Sequence, residues 1–345
     1  MNKVGFLGHK PSGCQWYRNE HPMKALSRAG IPTELIHINQ EVDDSFQSLQ
    51  FYGAYPFMVD KIIDYMKQEG KRVIYDTDDA LELIEETNPF YYLVKKDIPS
   101  SRMMLDRADI VTVSTKRMAE YVSDKTKAQV TVVPNCFDSS EWTYPKPARS
   151  GIRIGFVGSS THVSDLIPIL PVIQKLQSIY PDLTFIIMGF ADHGDYKRWY
   201  NEFRYVSTDA GIKDLEEFDR LLTGIRFEFV PFVPIEQYPS TLTNLSLDIG
   251  ICPLKDTPFN RCRSACKTME YTLSGALALA SDLDPYQEDR NSILVGEGEW
   301  EEQLRFFIDN PQIRESAHSD HLKWTRENRN IDDKIDLLKS VHVVQ

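Results

Sequence analysis

TYPKPARSGIRIGFVGSSTHVSDL, residues 143–166, divides the chain and sets the pattern that both halves follow. Two prolines, a glycine and mixed charge make TYPKPARSG a linker. IRIGFV then reads as a short apolar strand that ends at Gly158 in a Gly/Ser loop, and DLIPILPVIQKLQSIYP (165–181) reads as the helix after it. DLTFIIMG, IRFEFVPFVP, LDIGICPL and ALALASD continue as strands with helical stretches between them. The first half has the same grammar. KVGFLG (3–8) is a strand, HKPSGCQWYRN a loop, HPMKALSRAG a helix and PTELIHI a strand. KRVIYDTDD, ADIVTVST and QVTVVPN follow as strands, with FMVDKIIDYMKQEG and TKRMAEYVSDK as helices. Strand and helix alternating at this spacing predict parallel β-α-β units, hence an α/β fold with two doubly wound domains. Ligands of such sheets lie beyond the carboxyl ends of the strands, so two facing domains place a cleft there.

The expected boundaries are 1–145, 146–318 and a polar helical tail, 319–345, anchored by Trp324 and able to pack back on the first domain. At 345 residues the chain suits two domains, and 41% hydrophobic with 26% charged residues marks a globular protein. No apolar run reaches the ~18 residues a membrane span needs. MNKVGFLGHK has no cleavage-type small-residue site and reads as a first strand. A net charge of −12 argues against sequence-independent grip on nucleic acid, though it allows a local basic cleft. Five cysteines without a Cys-x-x-Cys pair point to free thiols, a cytoplasmic location and no zinc or other bound metal.

The densest chemistry lies in FNRCRSACKTMEYTLSGALALASDLDPY (259–286). Arg261, Arg263 and Lys267 can gather around Glu270 at a helix start, the last three residues being four and three apart. Cations beside free helix N–H groups suit a diphosphate, and the acceptor oxygens of Glu270 suit ribose hydroxyls. The plain alternative is a salt-bridged surface helix. Gly158-Ser159-Ser160-Thr161-His162 makes a small-residue turn whose backbone N–H groups can approach phosphate, or whose hydroxyls cap a helix, as Asp165 also can. Asp76-Thr77-Asp78-Asp79 ends a first-domain strand, with acid/base work and helix capping as its two readings. NPFYYLVKKDIPSSR (88–102) is either an acceptor-side loop of rings and cations or a helix whose rings pack inward. Asn135 and Asp138 are expected to shape the hinge turn.

Four segments together resemble the GT-B nucleotide-sugar glycosyltransferases, nearest the family 4 pattern: ADIVTVST (108–115), VTVVPNCFD (130–138), GIRIGFVGSSTHVSDL (151–166) and 247–282. The resemblance covers about two thirds of the chain. It implies two Rossmann-like domains facing a central cleft, the second holding a UDP- or GDP-sugar with no further cofactor. Glu270 matches the second glutamate of the family's Glu-x7-Glu motif, which holds the ribose; Cys262 stands where the first, a donor-sugar contact, belongs. Phe259-Asn260, Arg263-Ser264, Lys267 and Glu270 are similar to the lysine-rich sub-branches, which makes Arg263, Ser264 and Lys267 diphosphate contacts. Gly158, Ser159, Ser160 and His162 join them on the donor side.

The same resemblance turns the loop from Gly8 to Arg18 toward donor and acceptor, with Gly13 and Tyr17 on the acceptor side and Arg18 reaching the leaving diphosphate. Asp76 and Asp78 are then catalytic candidates and Asp79 orients the acceptor, metal-free. It further implies transfer with retention to a saccharide or to a hydroxymethylated DNA base, as bacteriophage members do. A nucleotide-sugar epimerase and a non-catalytic nucleotide-sugar-binding protein are the competing readings.

Overall fold

The computed structural model describes residues 2–8, 12–37, 40, 42–53 and 59–344. His9, Lys10 and Pro11 of the first-domain loop and Phe57-Met58 lie outside the described residues.

Two six-stranded, wholly parallel sheets organise the chain. The first contains β1 (Lys3–Leu7), β2 (Thr33–Ile36), β3 (Phe46–Tyr52), β4 (Arg72–Thr77), β5 (Ile110–Val113) and β6 (Gln129–Val132), in the order β2-β1-β3-β4-β5-β6. The second contains β7 (Ile152–Val157), β8 (Leu183–Met188), β9 (Phe227–Val230), β10 (Ile249–Cys252), β11 (Leu277–Ser281) and β12 (Ile293–Val295), in the order β12-β11-β10-β7-β8-β9. Each order reverses once, between β1 and β3 and between β7 and β10, and a crevice opens at such a switch point.

Both sheets are covered on both faces, which explains their near-continuous apolar strands. In the first domain Leu49, Phe51, Tyr75, Val111 and Val113 face one layer, and Val4, Phe6, Ile74 and Ile110 face the other. Leu338 and Val341 from the end of the chain complete that second layer. The long helix Pro311–Asn328 leaves the second domain, and Asn330 bridges Phe137 before the helix Ile335–His342 lies on the first sheet.

Strand β3 is the element that sequence periodicity does not reveal. FQSLQFY carries polar residues at positions that prove buried, and each is matched by a partner distant in sequence. Ser48 Oγ donates to the His342 carbonyl at 2.6 Å, and Gln50 Nε2 donates to the Arg18 carbonyl at 2.8 Å. Gln50 Oε1 meets His342 Nε2 at 2.7 Å. Strand β12 is a three-residue edge that likewise leaves little periodic signal.

Candidate donor site in the interdomain cleft

Beyond the carboxyl ends of β7 and β10 two segments converge, the turn 158–162 and the helix Cys266–Leu273. Tyr271 pins that helix to the sheet. Its hydroxyl accepts from the Val157 amide at 2.7 Å, and its ring lies where a Cβ on Gly250 would stand only 2.2 Å away. Gly250 is therefore glycine because the ring packs directly on the β10 backbone.

At Gly158 a Cβ would sit 2.8 Å from Lys267 Cε, so the lysine stem crosses close over the turn. Lys267 Nζ then meets His162 Nε2 at 2.9 Å, and His162 Nδ1 meets Asp165 Oδ2 at 2.7 Å. Asp165 Oδ1 accepts from the Lys255 amide at 2.8 Å and from Asn260 Nδ2 at 3.0 Å, so it orients a ring rather than capping a helix. The carboxylate fixes the proton on Nδ1 and leaves Nε2 to accept from the ammonium. Burial, reinforced by the charges of Lys267 and Arg263, pushes His162 down to about 3, so the imidazole is neutral. Burial and then Arg263 lower the Lys267 pKa as well.

Arg263 lies between the short helix Pro258–Arg261 and the helix Cys266–Leu273, not on either, with its guanidinium over the Phe259 ring at 5.5 Å. Neither Arg263 nor Lys267 has a carboxylate partner among the described residues. Arg261 does not join them. Its guanidinium grips Asp256 through two bonds of 2.6 and 2.7 Å and also holds Asp284. Ser159 is exposed and shares a 2.6 Å hydroxyl contact with Thr161, whereas Ser160 is buried in the turn.

Glu270 stands one helical turn beyond Lys267. Tyr17 Oη donates to Oε1 at 2.8 Å and Tyr238 Oη donates to Oε2 at 2.7 Å. Burial raises its pKa even against those two bonds. Tyr17 belongs to the first domain, so this contact ties the domains together through the carboxylate.

Tyr17 is delivered by an unusual backbone. Ser12 caps a helical turn that starts at Gly13, and Trp16–Glu20 forms a π-helical turn before the helix His21–Arg28. The wider turn buries Trp16, Tyr17, Arg18 and Asn19 in succession. Arg18 points into the first domain. Its Nε and Nη2 bond the two Asp76 oxygens at 2.8 and 2.6 Å, and Nη1 donates to the Val133 carbonyl at 2.5 Å and to Asn135 Oδ1 at 2.9 Å. Thr112 Oγ1 donates to Asp76 at 2.5 Å. Arg18 and Asp76 thus form a buried pair, and Asn135 continues the chain across the hinge, its Nδ2 donating to Ser264 Oγ at 2.9 Å and Cys266 Sγ at 3.0 Å.

Asp78 and Asp79, just beyond β4, are half-buried. Tyr52 Oη donates to Asp78 Oδ1 at 2.9 Å, and burial, then Asp79, raise Asp78 to about 7. Among the described residues no group of three or more His, Cys, Asp or Glu is arranged to hold a metal. Cys262 is 3% exposed and packs with Met118 and Val122 of the first domain, while its carbonyl accepts from Thr115 Oγ1 at 3.2 Å. The position is filled by interdomain packing. Of the rings in 88–102 Tyr91 packs inward, whereas Phe90 and Tyr92 are 37% and 63% exposed, contrary to the inward-packed reading.

Sequence reasoning did not find Tyr238 or Tyr52, since a lone tyrosine carries no spacing signal. It assigned Asn135 to a turn, and the VPN segment gives no hint that this amide reaches the second domain.

No family model matches the sequence, and no curated protein matches it. Solved structures do. HepE of Anabaena in complex with UDP-glucose is 14% identical, with a TM-score of 0.65 over 98% of this chain and 98% of that one. A glycosyltransferase from Rickettsia africae is 10% identical, with a TM-score of 0.67 over 100% and 99%. Sucrose-phosphate synthase of Thermosynechococcus elongatus is 11% identical, with a TM-score of 0.65 over 99% and 98%. These likenesses show the fold: an α/β chain of two Rossmann-like domains in the GT-B arrangement. No described helix is long and apolar enough to cross a membrane.

Proposed function

We propose that this chain is a glycosyltransferase that moves a sugar from a nucleoside-diphosphate donor, a UDP- or GDP-sugar, to an acceptor hydroxyl. The observation that carries the reading is the pair of cations, Lys267 and Arg263, that have no carboxylate partner among the described residues, at the switch point of the second sheet, with Glu270 one turn further. The neighbour that holds UDP-glucose supports UDP as the nucleotide to try first.

In this reading the diphosphate lies against Lys267, Arg263, the 158–162 turn and the start of the helix Cys266–Leu273. Fixed cations and free N–H groups stabilise the charge that grows as the sugar C1–O(phosphate) bond breaks. The acceptor oxygen forms the new bond to C1, and its proton goes to the departing phosphate oxygen in a retaining reaction or to Asp78 in an inverting one. The retaining course follows from the family resemblance. His162 is a positioning residue, holding Lys267 through a neutral ring. Arg18 and Asp76 act structurally, through Asn135.

Ribose hydroxyls reaching Glu270 must displace the Tyr17 hydroxyl. Tyr17→Phe is therefore expected to tighten UDP binding several-fold in calorimetry, the scale of one hydrogen bond of about 1 kcal/mol. Unchanged or weaker affinity would mean that Tyr17 does not occupy the ribose position.

Asp78 supplies a pH signature. If its carboxylate takes or steers the acceptor proton, kcat/KM rises with pH through about 7, and Asp78→Asn removes that limb. Stability runs the opposite way. The folded pKa is raised, so the protonated form adds stability that is lost as pH climbs through about 7. Above that pH, Asp78→Asn should gain on the order of 1 kcal/mol, less than full linkage because the group is only half buried.

The reading is tested by offering UDP-glucose, UDP-N-acetylglucosamine and GDP-mannose and following release of the nucleoside diphosphate. Release from one of them is expected. Binding without any release would favour the non-catalytic binding protein.

A further inference from the structure

The segment 88–102 plays no part in the chemistry proposed above, yet it leaves apolar side chains in solvent. Tyr92 and Leu93 open the helix Tyr91–Arg107, and the half-exposed Phe90 stands just before it. From the second domain Tyr205 and Val206 end the helix Tyr196–Val206, and Tyr205 is 92% exposed. One seam joins the two groups. Thr208 Oγ1 donates to the Glu86 carbonyl, and a Cβ on Gly211 would lie 3.1 Å from the Thr87 carbonyl oxygen. Five large side chains therefore flank a single interdomain contact. Exposed apolar residues are ordinary when scattered singly, but a group of them marks an interaction surface.

The charge beside this group has one sign. Lys95 lies over the Tyr91 ring at 4.1 Å, and neither it nor Lys96 has an ion pair among the described residues. Together they outnumber Asp97, the carboxylate next to them on the helix. The cations further out are neutralised, Arg102 by Glu82 and Arg204 by Glu216. Of the nearby acids, Glu86 accepts from Tyr91 Oη at 3.3 Å, and Asp209 stands in the first turn of its helix, where the dipole offsets its charge. A chain of net charge −12 thus presents a local cationic rim beside exposed rings.

We propose that this face docks on an anionic lipid surface, with Tyr92, Leu93 and Tyr205 entering the headgroup region and Lys95 and Lys96 meeting lipid phosphates. A tyrosine, apolar in its ring and polar at its tip, suits that depth, and a lysine stem reaches outward from it. A bilayer also accommodates side chains that project from two domains at different heights, which a rigid partner does not. At ~0.15 M salt the Debye length is about 8 Å, so the acidic remainder of the molecule is screened while cations at the surface still act. Binding of this kind is peripheral and reversible. It is independent of the donor assignment.

The test is co-sedimentation of the full chain with vesicles of phosphatidylcholine alone and of phosphatidylcholine with phosphatidylglycerol. The chain is expected to partition about tenfold more strongly onto the anionic vesicles. Tyr92→Ser with Leu93→Ser should lower that partition by about tenfold, and Lys95→Glu with Lys96→Glu should abolish the preference for anionic lipid. Tyr205→Ser, at a side chain with almost no packing to lose, should weaken binding and leave the melting curve unchanged, so it decides the matter if a double variant fails to fold. No binding to either vesicle, or binding indifferent to all three changes, would overturn the proposal. A dimer in solution that Tyr205→Ser separates, or a single-stranded oligonucleotide held through the same residues, with vesicles unbound in either case, would overturn it as well.

Discussion

Lys267→Ala is expected to lower affinity for a nucleoside diphosphate by about 100-fold, the scale of charge-assisted hydrogen bonds to phosphate. The free nucleoside should bind almost as before, because Glu270 and Tyr238 lie a turn away. The lysine stem crosses Gly158, its ammonium is held by the neutral His162 ring, and no carboxylate competes for its remaining N–H groups among the described residues. His162→Ala should give the same kind of loss in smaller measure, since the cation stays but is no longer aimed. Calorimetry with UDP and with uridine separates the two contributions. Equal loss for both ligands would mean that Lys267 shapes the helix rather than binding phosphate.

Arg18→Met is expected to destabilise the first domain by about 3–5 kcal/mol, because it strands the Asp76 carboxylate in the interior with Thr112 as its one remaining side-chain partner among the described residues. Removing both charges, as Arg18→Met with Asp76→Leu, should recover most of that stability. Function separates this from a catalytic role. In the double variant the fold returns but Asn135 has lost its support, so UDP binding persists while turnover falls. A double variant that folds and turns over normally would show that Asn135 holds its place without Arg18. Melting curves and donor turnover on the same samples give both readouts.

Much of the architecture was legible because it rests on local signals. The strand–glycine–helix pattern recurs on both sides of the 143–151 linker, and ten of the strands announce themselves as apolar runs. The omitted β3 is instructive: its Ser48 and Gln50 become acceptable only after His342, almost 300 positions away, returns to meet them. No periodicity encodes that contact. The cluster proposed to hold the donor was likewise legible where spacing sets neighbours on one helix, as with Lys267 and Glu270. Arg261 was not, since its partners Asp256 and Asp284 compete for it through space. The resemblance aims Arg18 across the cleft at the leaving diphosphate, whereas the π-helical turn at Trp16–Glu20 carries it inward onto Asp76, a rotation no spacing signals.

The central claim is that the helix Cys266–Leu273 and the 158–162 turn hold a nucleoside diphosphate. Titration calorimetry of the full chain with UDP, GDP, ADP and CDP, with and without EDTA, tests it most directly. The account predicts single-site binding of one diphosphate, unchanged by EDTA and lost in both Lys267→Ala and Glu270→Ala. Absence of binding by all four, or binding that survives both substitutions, would contradict it.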